Sequence, residues 1–597
     1  MNVEVLLELK IKNLDKTFTY HVPDYLKEKI KIGKRVLAPF GNQKLEGFIL
    51  KINNEEITYD LKDIIDVIDE DVILNEELLE IGKYISKKTL CTLISCYQTM
   101  LPKALKAQNK TKINKRYVTY LKLNEIPKNI KSEKQKQILD LLKDGKKLKT
   151  ECIKISPSSV KTLLQNNVIH EIKEEEYRLQ EETVLKTNKI KLSQEQQNVV
   201  DEVLKTKNKF VPYLLHGVTG SGKTEVYMTI IEDIIKSKNV IVLVPEISLT
   251  PQFIEKFQNR FGNKIAILHS ALSDGERYDE WRKIKKNKVN IVIGARSAVF
   301  APVKNLGLVI IDEEHSQTYK QENNPKYNAI DVALFRAKKN NCPIVLGSAT
   351  PSIESYTRAK TNVYKLLELK TRVNASLPIV KLVDMKEEIK SGNRVLSNIL
   401  IEKINERINK NEQVILLLNR RGYTTIATCK NCGYVHNCPN CDIPLIYHKS
   451  SNTMRCHYCG YGDKKLENCP ICKSKDIIDY GMGTEKLEQI VNETFKNAKT
   501  LRMDIDTTSK KGSHKKLIDL FKSGEYNILI GTQMIAKGLD FANVTLVGVI
   551  NADSTLNIQD FRSGERTFQL LNQVSGRAGR GLLKGEVIIQ GFNINNY

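Results

Sequence analysis

The stretch 217–224, Gly-Val-Thr-Gly-Ser-Gly-Lys-Thr, limits what this chain can fold into more than any other feature. It has the pattern G-x4-G-K-[ST], it follows an apolar run at 210–215 of strand length, and it precedes Val226, Ile230, Ile231, Ile234 and Ile235 at helical spacing. Strand, glycine-rich turn and helix in that order make a phosphate cradle. Gly217, Gly220 and Gly222 let the backbone N–H groups of the loop, those of Val218, Thr219 and Ser221 among them, converge on phosphate oxygens, and the helix N-terminus adds its dipole. Lys223 is expected to reach the β- and γ-phosphates, and the Thr224 hydroxyl to hold Mg²⁺. The loop should sit at the carboxyl end of the first strand of a parallel sheet.

The rest of the chain fits that beginning. Apolar runs at 240–244, 265–268, 289–293, 306–311 and 344–346 alternate with helical segments, and a second series at 413–418, 526–530, 544–550 and 586–589 implies a second α/β lobe. Ahead of the loop, residues 1–105 read as a small β domain of short strands punctuated by Gly33, Pro39, Gly41 and Gly47, with Lys31, Lys34 and Arg35 on a solvated face. Residues 106–190 turn helical and highly charged. There Ser156-Pro157 starts a helix, Val160, Leu163 and Leu164 form its apolar face, and Asn166-Asn167 stop it before the short strand Val-Ile-His-Glu-Ile, a winged-helix-like arrangement. The boundaries that follow are 191–365 for the first lobe, 366–428 and 481–597 for the second, and 429–480 for a cysteine-rich insert.

Length, charge and cysteine usage narrow the class. At roughly 150 residues per domain, 597 residues suggest about four domains. The longest apolar runs fall far short of the ~18 residues of a membrane span, and Glu4 and Glu8 stand where a signal peptide would be basic, so a soluble cytoplasmic chain is expected. Lys+Arg 94 against Asp+Glu 70 gives a formal charge of +24, pointing to a polyanionic partner, although part of the lysine excess fits a composition rich in Lys, Asn and Ile. Of the 12 cysteines, Cys91, Cys96, Cys152 and Cys342 have apolar neighbours and read as core residues.

The other cysteines form four C-x2-C pairs: Cys429/Cys432, Cys438/Cys441, Cys456/Cys459 and Cys469/Cys472. Eight thiolates fit two Cys₄ zinc sites, hence two Zn²⁺, with no ligand position left open for chemistry. Four pairs can be joined in three ways. Residues 445–447 and 453–455 read as a hairpin, which favours nesting, with Cys438, Cys441, Cys456 and Cys459 inside and Cys429, Cys432, Cys469 and Cys472 outside. His436, His448 and His457 read as surface residues.

Other motifs belong to a phosphate-cleaving motor. The apolar run at 308–311 ends in Asp312-Glu313-Glu314-His315, where Asp312 can hold Mg²⁺ through water and Glu313 can polarise the attacking water. The next strand ends in Gly347-Ser348-Ala349-Thr350-Pro351, whose hydroxyls can bond the acidic cluster. In the second lobe Arg577 and Arg580, three apart on an expected helix, can reach across a cleft as arginine fingers, and Gly576 and Gly579 suit a place where two lobes close tightly.

GVTGSGKT, DEEH, GSATPS, GTQMIAKGLDF and QVSGRAGR, in this order, resemble motifs I, II, III, V and VI of the superfamily 2 helicases. VLVPEISLTPQ (242–252), LHS (268–270), GARSAVFAP (294–302), NRRGY (419–423) and the cysteine block narrow the resemblance to the primosomal replication-restart helicases of the PriA family, over residues 1 to about 592. The resemblance implies two RecA-like parallel-sheet lobes carrying an inserted two-zinc module, preceded by a β domain that binds the 3′ end of a nascent strand at a fork and by a winged helix. It implies the nested zinc arrangement, adenine recognition by Leu192 and Gln196, and an aromatic-rich loop after DEEH that couples DNA contact to hydrolysis. Here that loop is SQTYKQENNPKYNAID, in which Tyr319 and Tyr327 would stack bases and Lys320 and Lys326 contact phosphate. Arg296 would also contact DNA, and Ile330 stands where the family has an arginine.

As function, the resemblance implies an ATP-dependent 3′ to 5′ DNA helicase using ATP and Mg²⁺. Forked and single-stranded DNA, primosome and helicase-loading proteins and single-strand DNA-binding protein would be its partners, the chain acting as a nucleoid-associated monomer. A fork-remodelling or RNA helicase is the alternative among enzymes, and a catalytically idle assembly platform the alternative outside them. The family continues past motif VI into a further globular domain, expected to be absent here because the chain stops at Tyr597, a few residues after EVIIQGF.

Overall fold

The structure, a computed structural model, describes the chain except residues 55–59, 108–112, 126–131, 180–189, 246–250, 373–376, 393–394, 419–426, 430–431, 433, 442, 449–452, 457, 476, 480–482, 505–506, 509–512, 537–540, 557–559, 580–582, 593 and 595–597. The motif NRRGY at 419–423, residues 246–250 of VLVPEISLTPQ, Arg580 and residues 537–540 of GTQMIAKGLDF therefore lie outside the described residues.

The chain opens with β1 (Asn2–Leu7), β2 (Thr17–His21), β3 (Arg35–Phe40), β4 (Gln43–Asn53) and β5 (Asp66–Val67), an antiparallel sheet in the order β2-β1-β4-β3-β5. Lys34 and Arg35 are buried, not solvated as expected. Arg35 donates to both carboxylate oxygens of Asp69 and to Lys106 O at 2.8 Å, tying the sheet to the chain that follows it. Two helices come next, Glu76–Thr89 and Leu93–Met100, and their apolar faces share one continuous core with the first α/β lobe.

A second small unit has its own core. β6 (Tyr117–Leu123), β7 (Lys147–Leu148) and β8 (Ile169–Glu175) form an antiparallel sheet, β7-β6-β8, against helices Glu133–Lys143, Lys149–Ile155 and Pro157–Gln165. The last helix begins where the sequence puts it, with Ser156 Oγ accepting from Ser159 N and Pro157 in the first turn.

The first lobe is a seven-stranded sheet built from β9 (Pro212–Gly217), β10 (Asn239–Leu243), β11 (Ile265–Leu268), β12 (Ile291–Gly294), β13 (Leu306–Asp312), β14 (Ile344–Ser348) and β15 (Lys365–Leu369). Its order is β11-β12-β10-β13-β14-β9-β15, with every pairing parallel. Helices cover both faces, which is why β10 and β13 are continuous apolar runs and not alternating ones. The boundary expected at 365 cuts this sheet, since β15 is its edge strand beside β9.

The second lobe follows with β16 (Ile379–Asp384) and β17 (Gln413–Leu418). The cysteine insert then carries β18 (Ala427–Cys429), β19 (Ile446–His448), β20 (Thr453–Arg455), β21 (Gly462–Lys464) and β22 (Ile477–Asp479), and the lobe resumes with β23 (Thr500–Met503), β24 (Ile528–Gly531), β25 (Val544–Ile550) and β26 (Glu586–Gly591). Its six-stranded sheet, β16-β26-β25-β17-β24-β23, is again all parallel. In the insert β18 pairs with β22, and β19, β20 and β21 form a separate antiparallel meander.

Candidate functional site

Three adjacent strands of the first lobe assemble the site. β9, β14 and β13 lie side by side, in a register that sets Ser348 beside His216 and Gly347 beside Asp312. The P-loop leaving β9 and the acidic turn leaving β13 thus flank Gly347–Thr350 at the carboxyl edge of the sheet. Gly220 and Gly222 hold φ of +84° and +79°, a region that side chains rarely enter, and Gly222 directly precedes the helix Lys223–Ile234. Lys223 Nζ donates to Gly217 O at 2.7 Å, so its ammonium lies over the loop where phosphate oxygens would be cradled.

The acidic residues separate by environment. Asp312 Oδ1 accepts from the Tyr227 hydroxyl at 3.1 Å. Tyr227 is buried on the P-loop helix and reaches Asp312 through space left open by Gly347, where an added Cβ would lie 1.7 Å from the hydroxyl oxygen. Burial, and then the neighbouring Glu313 carboxylate, pushes the Asp312 carboxyl up to about 6 against the pull of Lys223. Glu313 sits at φ +47°, turning the chain out of β13. Glu314 points elsewhere: it accepts from Ser352 N at 2.6 Å, Ser352 Oγ at 3.0 Å and Ser355 Oγ at 2.8 Å, pinning the helix Ile353–Lys360, and burial raises its pKa.

His315 joins the two lobes. Its Nε2 lies 2.8 Å from Gln573 Nε2 and its Nδ1 lies 2.7 Å from Ser348 Oγ. Because the Gln573 amide can only donate from nitrogen, His315 Nε2 accepts, its proton sits on Nδ1 and Ser348 Oγ takes it. Gln573 Nε2 also donates to Glu313 Oε2 at 3.3 Å. One turn further on, a Cβ added to Gly576 would lie 2.5 Å from Thr219 Cγ2. Arg372 spans the same seam, donating from Nε to Thr219 O at 2.8 Å and from Nη2 to Gly576 O at 3.0 Å. Farther out, Ile353 N donates to Glu565 Oε1 at 3.1 Å and Arg562 pairs with Glu354. The second lobe is closed on the P-loop.

Several expectations change. Gln196 is buried with both ends of its amide engaged: Oε1 accepts from Ser193 N at 2.9 Å and Nε2 donates to Ser221 O at 2.8 Å. The residue therefore ties the P-loop backbone to the helix Gln194–Leu204, while Leu192 packs half-buried against the lobe core. Arg577 is not on a helix. The helix Ser563–Ser575 ends before it, Gly576 caps it, and half-buried Arg577 lies in the following turn, not on the helix face expected for it. Gly576 does meet the opposite lobe. Gly579 serves its own lobe instead, at φ +64° with an added Cβ 2.5 Å from Gly585 N.

The loop after DEEH is corrected as well. Tyr319 and Tyr327 are only 1% and 4% exposed. The Tyr319 hydroxyl donates to Asp312 O at 2.6 Å, and the Tyr327 ring packs 4.9 Å from Phe300, so neither ring is available to stack a base in this conformation. Arg296 braces the loop, donating from Nη1 to Thr318 O at 3.3 Å and Lys320 O at 3.1 Å. Lys320 and Lys326 are exposed. Ile330 is partly buried against the core.

The cysteines cluster in two nested sets, Cys429, Cys432, Cys469 and Cys472, and Cys438, Cys441, Cys456 and Cys459, with the four sulfurs of each within 4.8 Å of one another. Sulfurs on a tetrahedral zinc at about 2.3 Å stand about 3.8 Å apart; the pairs Cys429–Cys472, Cys432–Cys469 and Cys438–Cys459 stand at 3.5 Å. Backbone N–H groups of Tyr434, Tyr461 and Ser474 bond the sulfurs of Cys432, Cys459 and Cys472, as a thiolate requires. The donor set thus fits two zinc ions. His436 is buried beside Asp463 at 3.2 Å and is not the surface residue expected. The side chain of His448 and all of His457 lie outside the described residues.

Sequence reasoning missed Tyr227, Arg372 and the pairing of Gln573 with His315. Gln573 lies inside QVSGRAGR and could have been weighed with the arginines. Tyr227 looks like one more apolar position of its helix, and nothing near Arg372 marks it.

Known proteins agree with this architecture. Residues 4–102 match the 3′DNA-binding domain (3′BD) model of PriA, 193–359 the DEAD/DEAH box helicase model, 438–463 the PriA DNA helicase Cys-rich region (CRR) domain and 467–581 the helicase conserved C-terminal domain. Replication restart protein PriA of Bacillus subtilis is 43% identical over 100% of this chain and 84% of its own length. The proteins of the same name from Chlamydia pneumoniae and Haemophilus influenzae are 38% and 36% identical, each over 97% of this chain and 80% of their own length. With two parallel-sheet helicase lobes, a nested pair of Cys₄ clusters and a 3′DNA-binding domain in one order along one polypeptide, the chain belongs to the replication restart protein PriA family of helicases.

Proposed function

We propose that this chain is an ATP-dependent 3′ to 5′ DNA helicase that recognises stalled or repaired replication forks and initiates primosome assembly there. The observation that carries the reading is the closed seam, in which Gln573 bonds Glu313 and His315 while Gly576 abuts Thr219. A loop built for phosphate has the second lobe as its opposite wall.

In this reading residues 217–222 cradle the phosphates of ATP, Lys223 leaves Gly217 O to meet the β- and γ-phosphates, and Thr224 and Asp312 hold Mg²⁺, which supplies charge neutralisation on the phosphates. Glu313 orients and deprotonates the attacking water. Arg577 and Arg580 stabilise charge on the transferring phosphoryl group from the second lobe, and Leu192 and Gln196 border the adenine, for which the Gln196 amide leaves Ser193 N and Ser221 O. Hydrolysis loosens the seam, the lobes part, and each cycle moves a DNA strand across them. Arg296, Lys320 and Lys326 contact the DNA backbone, Arg296 through the loop it braces.

The N-terminal sheet engages the nascent 3′ end, residues 106–190 engage duplex arms, and the zinc module stiffens the second lobe as a platform for DNA or partner proteins. Primosome proteins, helicase loaders and single-strand DNA-binding protein are the proposed partners, in the cytoplasm and on the nucleoid. Among the described residues no helix is long and apolar enough to cross a membrane.

Unwinding of forks with and without a free nascent 3′ end, beside an RNA duplex with a 3′ overhang, tests the reading. Preference for the DNA fork with the free end is expected. Lys223→Ala should abolish ATP hydrolysis and leave fork binding nearly intact; unwinding by that variant, or equal activity on RNA, would refute it.

A further inference from the structure

The largest fully buried side chain in the described structure is a cation outside the nucleotide site, Arg336. It lies on the helix Ala329–Lys339, directly after the DEEH loop, and its guanidinium faces two ways. On one side Nε and Nη2 make a bidentate pair with Glu77, at 3.0 Å to Oε1 and 2.9 Å to Oε2. Glu77 opens the helix Glu76–Thr89, inside the segment that matches the 3′DNA-binding-domain model. On the other side Nη1 donates to Val299 O at 2.6 Å and Ala301 O at 3.0 Å.

Those two carbonyls belong to the segment that begins at Arg296. From there the polar contacts continue: Arg296 holds the Thr318 and Lys320 carbonyls, and Tyr319, between them, donates to Asp312 O. A second row of contacts runs alongside. Tyr84 stacks on Phe335 at 4.7 Å, Lys339 pairs with Glu80, and Phe300 packs on Tyr327. A small cavity of about 60 Å³ lies on this seam, lined by Tyr84 and Lys88 on one side and Lys320, Lys326 and Tyr327 on the other. The cavity thus lies between the loop and the N-terminal helix.

A buried ion pair is poor as a device for stability, because desolvating both charges offsets their attraction, and apolar side chains of similar volume fill such a site as well. What the pair provides is direction: the forked guanidinium fixes the carboxylate and two carbonyls in one plane. We propose that Arg336, clamped by Glu77, is a positioning residue through which the N-terminal DNA-binding region sets the geometry of the loop after DEEH, so that capture of a 3′ end changes the rate of ATP hydrolysis. This rests on the function proposed above.

The test measures ATP turnover by the full chain with no DNA, with circular single-stranded DNA, and with a fork whose nascent 3′ end is free or blocked by a 3′-phosphate. The wild-type chain should turn over faster on the free-end fork than on the blocked one. Glu77→Gln, which keeps the shape and removes the charge, should keep the DNA-free and circular-DNA rates within about twofold and fork affinity within about threefold, while cutting the free-end increment about tenfold. Asn340→Ala removes a lesser partner of Glu77, Nδ2 to Oε1 at 2.7 Å, and should cut the increment in the same direction but less. Arg336→Met should behave as Glu77→Gln; if it fails to fold, the other two variants decide.

Folded Glu77→Gln and Asn340→Ala proteins that keep the full increment would overturn the coupling, as would variants that lose all three rates in proportion, the mark of a merely structural pair. A wild-type chain with no DNA-stimulated turnover would instead remove the proposed function, and one blind to the 3′ end would remove the role of the N-terminal region.

Discussion

Substitution of Gly576 by alanine isolates lobe closure from folding. The added Cβ would stand 2.5 Å from Thr219 Cγ2, 2.7 Å from its Cβ and 2.8 Å from its Oγ1. Carbon atoms are comfortable at about 3.5–4.0 Å, so the two lobes must part by about 1 Å here or bear the overlap. Parting by that much stretches Arg372 Nη2 to Gly576 O from 3.0 Å, and Gln573 Nε2 to His315 Nε2 from 2.8 Å, to the limit of hydrogen bonding or beyond. Two such bonds, one of them charged, contribute about 2–4 kcal/mol, and an overlap retained in place costs about 1–3 kcal/mol. The cheaper route sets the penalty, about 1–3 kcal/mol on the closed state, which is about a 5- to 150-fold loss of turnover. Each lobe keeps its own core, so thermal unfolding should hardly move. The assay is steady-state ATP turnover with saturating single-stranded DNA, beside a thermal denaturation curve. In a Thr219→Gly background, which deletes all three contacted atoms, the same alanine should cost less than about fivefold. Turnover within about threefold of wild type, or an equal loss in both backgrounds, would refute the argument.

Other outcomes follow from the same geometry. In the nucleotide-free protein Asp312 takes up a proton as the pH falls through about 6, because burial and Glu313 raise it; Mg²⁺ needs the carboxylate, so the KM for Mg·ATP should climb below that pH by about tenfold per unit. Tyr227→Phe deletes a donor that favours the ionised form and should move the inflection to higher pH, which KM measured across pH 5 to 8 checks. Gly347→Ala should destabilise the first lobe by about 1–3 kcal/mol through overlap with Tyr227, with partial rescue by Tyr227→Phe, read by urea denaturation. Metal analysis should find about two zinc per chain, and Cys456→Ser should release one of them, because the outer set at 429, 432, 469 and 472 contains no inner ligand. A chain that loses both ions on that single change would contradict two self-contained sites.

The P-loop, the acidic turn, the alternation of buried strands with helices and the four cysteine pairs were legible in the sequence because each is a local pattern with a local cause. Central parallel strands are apolar on both faces, so β10, β13, β17 and β25 stand out as runs, whereas the edge strands β15, β16 and β23 carry Lys365, Lys381 and Arg502 and give no continuous apolar run. Even the nesting of the zinc ligands followed from a hairpin of adjacent residues. What the sequence could not decide is which side chains face inward at a meeting of distant segments. Tyr319 and Tyr327 look like stacking platforms in one dimension and are buried in three, and Arg577 looks like part of a helix that ends two residues before it. Arg372 and the Glu77–Arg336 clamp give no local signal, since residues 259 apart meet only after helices from two regions pack. The motor's parts were written in contiguous residues, and the coupling between them exists only where the folded lobes bring remote polar groups within about 3 Å.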